Sequence, residues 1–332
     1  MSNPVLVNVL RGSHVESRHR GSIAVCDPRG RLVASWGDVE NPVYPRSAIK
    51  LLQALPLIES GAADHFDLGG AQLALACSSH SAESIHTETV SAWLRNIGLG
   101  EQDLECGPHP PMNETAAAAL IRGGIEPGRV HNNCSGKHTG MLTTCRFLDE
   151  PTHGYIEPEH PAQQRWFDTL GEMSGADLRR LPADRDGCGI PVVAMPLRAI
   201  ATAFARVAAP DDLAPARGAA IDRLGVAIAD NPPMIAGSGR LCSELIALTG
   251  QRLLIKSGAQ GIYTASLAEQ GLGIALKIDD GSGEAAEVAL LDLLNRLGAL
   301  HSDELEALAA RRRMPITNTV GRITGYRQGV LP

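Results

Sequence analysis

Strand-like alternation occupies both ends of this 332-residue chain and is missing from its middle, and this distribution limits the possible folds more than any other feature. Residues 5–10, 14–18, 22–26 and 31–36 alternate around turn signals at Gly12 and Asp27-Pro28-Arg29-Gly30, which reads as an antiparallel meander. Strand character returns over 252–257, 261–267 and 271–277, followed by a long helix over 283–297. Between these ends lie helical segments at 82–97, 115–123, 161–174 and 214–229, joined by Gly/Pro-rich connections. Regular βαβ alternation is absent, so the pattern predicts an α+β fold: one antiparallel sheet built from both termini, a helical layer packed on it, and a helical lobe. We expect a single domain over 1–332, with 1–60 and 250–332 forming the sheet layer and 61–249 the lobe.

Several function classes are disfavoured by composition. Net charge is −7 and the longest basic run is Arg311-Arg312-Arg313, a poor electrostatic footprint for nucleic acid, so a small-molecule partner is expected. No apolar run reaches the roughly eighteen residues that a membrane span needs, and the start lacks a basic segment followed by an apolar one. Seven scattered cysteines disfavour a disulfide framework, and a cytoplasmic location is expected. Of the 30 basic residues only Lys50, Lys137, Lys256 and Lys277 are lysine. An ammonium can lose its proton when desolvated and a guanidinium cannot, which gives a chemical reason for lysine to persist in an arginine-biased chain.

Three of those lysines lie in segments that can carry chemistry. Ser47-Ala48-Ile49-Lys50 opens the helix expected after Pro45; a three-residue spacing places both side chains on one face, and a neutral Lys50 can take the Ser47 hydroxyl proton. By itself the pair also reads as an ordinary surface pair. Lys256-Ser257-Gly258 ends a late strand, where glycine permits a close approach to the backbone; the alternative is a plain turn. Cys77-Ser78-Ser79-His80-Ser81 offers hydroxyls for proton relay, although Ser81, with Glu83 following, reads better as a helix cap. In this order the three segments resemble the S-x-x-K, S-x-N and K-T-G set of serine β-lactamases and penicillin-binding proteins. His80 stands where that set has Asn, and only some thirty residues separate the first two segments, so the chain is not expected to be a β-lactamase itself.

A narrower resemblance covers nearly the whole chain. The segments 131–140 (HNNCSGKHTG) and 185–191 (RDGCGIP), together with Tyr44-Pro45-Arg46-Ser47, Cys77-Ser78-Ser79-His80, His109-Pro110-Pro111 and Met234-Ile235-Ala236-Gly237, look like the hallmarks of the Rhizobium etli type (class 3) L-asparaginases. This resemblance implies a β-lactamase-like fold, hydrolysis of L-asparagine to L-aspartate and ammonia, and a homodimer. Carried onto matching positions, it implies hydroxyl–amine pairs Ser47/Lys50 and Ser79/Lys256, and a zinc site at Cys134, Lys137 and Cys188 with Asp186 beside it. On residue chemistry alone, two thiolates and a neutral amine can complete a tetrahedral zinc site with water, but two buried thiols read equally well. Thr-Gly-Gly-Thr, His-Gly-Thr-Asp-Thr and a Gly-Thr self-cleavage site are all absent, so an asparaginase of this sequence must use serine and lysine.

For the substrate, Arg46 or Arg20 is expected to meet the α-carboxylate and Asp186 the α-ammonium, with His80, Asn133 and Gly258 further candidates for substrate contact. His138 also sits inside a hallmark segment. The rival readings are a glutaminase or other amidohydrolase of the same chemistry and a zinc-dependent binding protein.

Overall fold

The computed structural model describes residues 2–332. An eight-stranded antiparallel sheet is formed by β1 (Val5–Arg11), β2 (His14–Cys26), β3 (Leu32–Trp36), β4 (Leu253–Gly258), β5 (Ile262–Leu267), β6 (Leu272–Ile278), β7 (Arg313–Thr317) and β8 (Ile323–Gly329). The longer helices are α1 (Lys50–Glu59), α2 (Gly70–Ala76), α3 (Ser84–Asn96), α4 (Glu114–Gly123), α5 (Ser135–Phe147), α6 (Pro161–Ser174), α7 (Leu197–Ala208), α8 (Pro215–Asp230), α9 (Leu241–Thr249) and α10 (Gly283–Arg296). The chain divides into two compact units: Met1–Ala48, Met195–Ala209 and Ile255–Pro332 make the first, and Ile49–Ala194 with Pro210–Leu254 the second.

The first unit is the sheet, in the order β7-β8-β1-β2-β6-β5-β4, with β3 also paired to β2. It is α+β and antiparallel throughout, built from both termini as the alternation predicts. Residues 14–18 and 22–26 are one continuous strand across Gly21; its first half pairs with β1 and its second with β6 and β3. A single helical layer was the expectation, and here the structure differs. Every residue of β5 is buried, so both of its faces are covered, and α7 and α10 both pack against β5 and β6. The sequences of β5 and β6, IYTASL and LGIALKI, accordingly read as near-continuous apolar runs rather than as alternation. The serine hydroxyl of Ser282 caps α10 by accepting from the Ala285 amide at 3.2 Å.

The second unit is helical, and its centre is α5. Every residue from Ser135 to Cys145 is buried, although the sequence SGKHTGMLTTC is largely polar. Hydroxyl-to-backbone bonds make that possible: Thr139, Thr143 and Thr144 each donate to the carbonyl four residues earlier, at 2.8, 2.7 and 3.2 Å. Small residues let neighbours approach, and α1, α2 and α3 all pack on α5. The N-cap of α3 is Glu83 rather than Ser81: Glu83 and His86 form a reciprocal cap, and Ser81 donates its hydroxyl to Glu83 at 2.6 Å. A carboxylate accepts more bonds than a hydroxyl, and Glu83 also accepts from the Ser238 amide and hydroxyl, at 2.8 and 2.7 Å.

Candidate active site

Within the first unit the structure brings two of the three reactive segments together. Ser47 lies, half-buried, in a 3-10 turn, Arg46–Ile49, that runs directly into α1. The helix predicted to begin after Pro45 therefore starts with a tighter turn. Arg46 has φ +49°, a left-handed conformation that a non-glycine residue adopts at a cost of about 1–3 kcal/mol and holds only where its surroundings enforce it. The enforcement is visible on both sides. The Ala48 amide donates to the Pro45 carbonyl at 3.0 Å, and Thr264 on β5 donates its hydroxyl to the Ala48 carbonyl at 2.8 Å.

Gly258 closes this arrangement. A Cβ there would sit 2.5 Å from Ile262 Cγ2, 2.9 Å from the Pro45 carbonyl oxygen and 3.0 Å from the Ala48 nitrogen. The close approach anticipated at this glycine is thus made by the Ser47 turn itself. Gly258→Ala is expected to push that turn aside, costing about 1–3 kcal/mol of stability and lowering turnover; unchanged melting and turnover would show that the turn tolerates the displacement. Lys256 is 4% exposed and donates from Nζ to the Ser257 carbonyl at 2.8 Å. Arg20, the alternative to Arg46 for an α-carboxylate, instead donates to the Asn3 carbonyl at 2.7 Å.

Lys50, Ser78, Ser79 and Asn133 belong to the second unit. Lys50 is fully buried at the start of α1 and donates from Nζ to the Ser78 carbonyl and, at 3.4 Å, to the Asn133 carbonyl; Ser79 Oγ lies 3.0 Å away. Carbonyls only accept. A neutral amine would spend its two N–H bonds on these carbonyls and leave its lone pair for a hydroxyl proton, whereas an ammonium donates to all three oxygens. Ser79 is fixed in turn by its amide, which donates to the Ile235 carbonyl at 2.9 Å.

His80 does not face a ligand. It is fully buried, its Nδ1 accepts from the Ala82 amide at 3.1 Å, and its Nε2 proton goes to Ser135 Oγ at 2.8 Å. Burial, followed by the charges of His86 and Lys50, holds it well below the usual histidine value, so it is a neutral brace behind Ser79. His138 is likewise buried, within 2.7 Å of the Tyr155 hydroxyl, and burial lowers it to about 3.

Cys134, Lys137 and Cys188 also meet in the second unit. Lys137 Nζ lies 3.0 Å from Cys188 Sγ. Cys134 has two acceptors for its single S–H proton, Asn133 Oδ1 at 3.2 Å and the Cys188 sulfur. A thiolate is the stronger acceptor because it is charged. The Cys134 hydrogen bond and the Lys137 charge hold Cys188 well below the usual thiol value despite its burial. The same bond, with burial, pushes Cys134 up to about 12. Burial pulls Lys137 down, but the charges of Cys188, Cys134 and Asp186 outweigh it and raise its value.

A model for L-asparaginase II matches residues 7–328. The chain belongs to the L-asparaginase II family. Among solved structures, this family member is similar to Mglu in its native form, at 16% identity and a TM-score of 0.45, covering 86% of this chain and 66% of that one. It thus spans just under two thirds of the Mglu length. It is also similar to the D-alanine carboxypeptidase AmpC of Burkholderia cenocepacia (14% identity, TM-score 0.38, 81% of this chain and 93% of that one). A β-lactamase of Mycobacterium bovis gives 14% identity and a TM-score of 0.38, covering 88% of this chain and 95% of that one. No curated protein matches by sequence.

For an L-asparaginase II chain the zinc expectation is tested by the donor set. Among the described residues no three His, Cys, Asp or Glu side chains gather as a metal site, so any site here depends on the lysine. Two adjoining sulfurs and a third donor, Lys137 Nζ, suit a thiophilic ion with one position left for water or substrate, provided Lys137 releases its proton. Asn132 has a structural role that residue type alone does not reveal. Its side chain donates to the Cys106 and Gly107 carbonyls at 2.8 and 3.1 Å and accepts from the Cys134 amide at 2.9 Å, fixing the entry to α5. Only its place within the 131–140 segment signalled it.

Proposed function

We propose that the protein hydrolyses L-asparagine to L-aspartate and ammonia through a serine acyl-enzyme. The observation that carries this reading is Lys50, an amine buried among two carbonyls and the Ser79 hydroxyl, in a chain of the L-asparaginase II family. Ser47, in its Ser-x-x-Lys spacing, is assigned the attack on the side-chain amide carbon, with Lys50 as the base. It is half-exposed on a strained turn, whereas Ser79 is 7% exposed, so Ser47 is the better placed to meet a substrate and Ser79 to pass protons. Ammonia leaves with a proton supplied from the Lys50–Ser79 pair, and water then cleaves the β-aspartyl ester. Lys256 is assigned to stabilising charge during acyl transfer, Arg46 to the α-carboxylate and Asp186 to the α-ammonium. Cys134, Lys137 and Cys188 would hold zinc, which supplies a Lewis-acidic cation for substrate binding.

Ammonia release from L-asparagine and L-glutamine, each with and without added zinc, tests this reading. The expected result is release from asparagine in preference to glutamine, with zinc lowering KM and leaving kcat unchanged. A preference for glutamine would replace the substrate assignment, no ammonia from either amide would remove the hydrolase reading, and a KM insensitive to zinc would remove the assignment of the metal.

A further inference from the structure

Ser79 reaches Lys50 from the loop that joins α2 to α3, and that loop is held in a costly shape. Ala82 has φ +59°, a left-handed conformation that alanine adopts at a cost of about 1–3 kcal/mol and keeps only where its surroundings enforce it. Two fully buried imidazoles supply the enforcement. His80 Nδ1 accepts from the Ala82 amide and His86 Nδ1 from the Glu83 amide, each at 3.1 Å. The rings are stacked, with centroids 5.1 Å apart and 14° between their planes. His86 Nε2 lies 3.0 Å from the Pro233 carbonyl, which can only accept, so the His86 proton sits on Nε2 and Nδ1 is the bare acceptor that the Glu83 amide requires. Burial lowers His86 below the usual histidine value, although the Pro233 bond and the Glu83 charge act the other way.

His86 thereby ties two segments of the second unit together. Through Nδ1 it holds Glu83, which in turn receives the Ser81 hydroxyl and the amide and hydroxyl of Ser238. Through Nε2 it holds Pro233, in the short helix Pro232–Ala236 whose Ile235 carbonyl accepts the Ser79 amide at 2.9 Å. The two segments meet without room for a side chain, since a Cβ at Gly237 would collide with Ser81 Oγ. Both the chain that carries Ser79 and the carbonyl that fixes its amide are therefore set by one imidazole. We propose that His86 is a positioning residue for the reaction: it touches no substrate, and by clamping the Ser79–Glu83 loop to the Pro233–Ser238 segment it sets the Ser79 hydroxyl against Lys50. The inference rests on the role in proton transfer assigned above to Ser79 and Lys50.

Steady-state turnover of L-asparagine by the full chain, in a double-mutant cycle with Ser79, tests this role. His86→Phe keeps a stacked ring and removes both hydrogen bonds; it should lower kcat by about tenfold or more and leave KM within about twofold. His86→Gln should recover most of that loss, because glutamine three residues into a helix reaches back to the N-cap amide. In the Ser79→Ala background His86→Phe should change kcat by less than about twofold, since the hydroxyl that it positions is gone. A purely structural contribution would instead lower kcat by the same factor in both backgrounds. Nitrogen-15 NMR spectra of the wild-type protein at neutral pH should show His86 uncharged with its proton on Nε2, a readout that needs neither turnover nor a folded variant. If the wild type releases ammonia and His86→Phe keeps its kcat, or loses equally with and without the Ser79 hydroxyl, the positioning role falls while the reading of the reaction stands. No ammonia from the wild type removes both. An imidazolium at His86, or a proton on its Nδ1, would overturn the clamp itself.

Discussion

Ser47→Ala is expected to lower asparagine turnover by at least about a thousandfold, because on the proposed reading it removes the nucleophile and leaves only binding and electrostatic stabilisation. The fold should survive it. Ser47 is half-buried, and the turn around it is held by other groups: the Ala48 amide on Pro45, Thr264 on the Ala48 carbonyl, and the close contact at Gly258. Melting should therefore stay near the wild-type value while kcat collapses. Ser79→Ala provides the contrast. It leaves Lys50 its two carbonyl partners, so some activity should remain, and the loss should fall on kcat rather than on KM. Equal activity in Ser47→Ala and wild type would exclude Ser47 as the nucleophile.

Gly136→Ala is expected to destabilise the second unit markedly. A Cβ at this position would lie 2.4 Å from the Leu75 carbonyl oxygen, 2.7 Å from Leu75 Cγ and 2.9 Å from its carbonyl carbon. The obstacle is the backbone of α2, which cannot rotate away as a side chain can, so α5 must shift. Overpacking of this kind costs about 1–3 kcal/mol, and here the displaced helix also carries Lys137 and has Cys134 as its N-cap residue. Denaturant titration should show the stability loss, and the asparagine KM should rise with it. Wild-type stability would mean that α2 and α5 are not packed as closely as the structure has them.

The parts of the fold that were legible in the sequence are those with a local cause. Pro161 at the first turn and Gly175 in the left-handed C-cap bracket α6, whose bounds agree with the sequence reading. Alternation gave the strands near both termini to within a residue or two. It gave no sign of β7, a five-residue edge strand with Pro315 inside it, or of β8, whose sequence ITGYRQG carries few apolar residues. The burial of α5 was hidden because SGKHTGMLTTC lacks the apolar stripe of a core helix; threonine back-bonding and the glycines, not hydrophobic residues, allow it to be enclosed.

The same distinction runs through the candidate site. The spacing of Ser47 and Lys50 is legible, and so is the glycine at 258. The carbonyls of Ser78 and Asn133 that receive the Lys50 protons are not, because a main-chain acceptor has no residue type. Nor does sequence show that Arg46 is left-handed, or that His80 points inward to Ser135. Cys134 and Cys188 lie more than fifty residues apart, and only the family resemblance joined them before the fold placed their sulfurs side by side.

Rapid quenching of the enzyme during asparagine turnover, followed by peptide mass spectrometry, tests the serine acyl-enzyme most directly. We predict an aspartyl adduct on the peptide that carries Ser47; an adduct on the peptide that carries Ser79 would contradict the account.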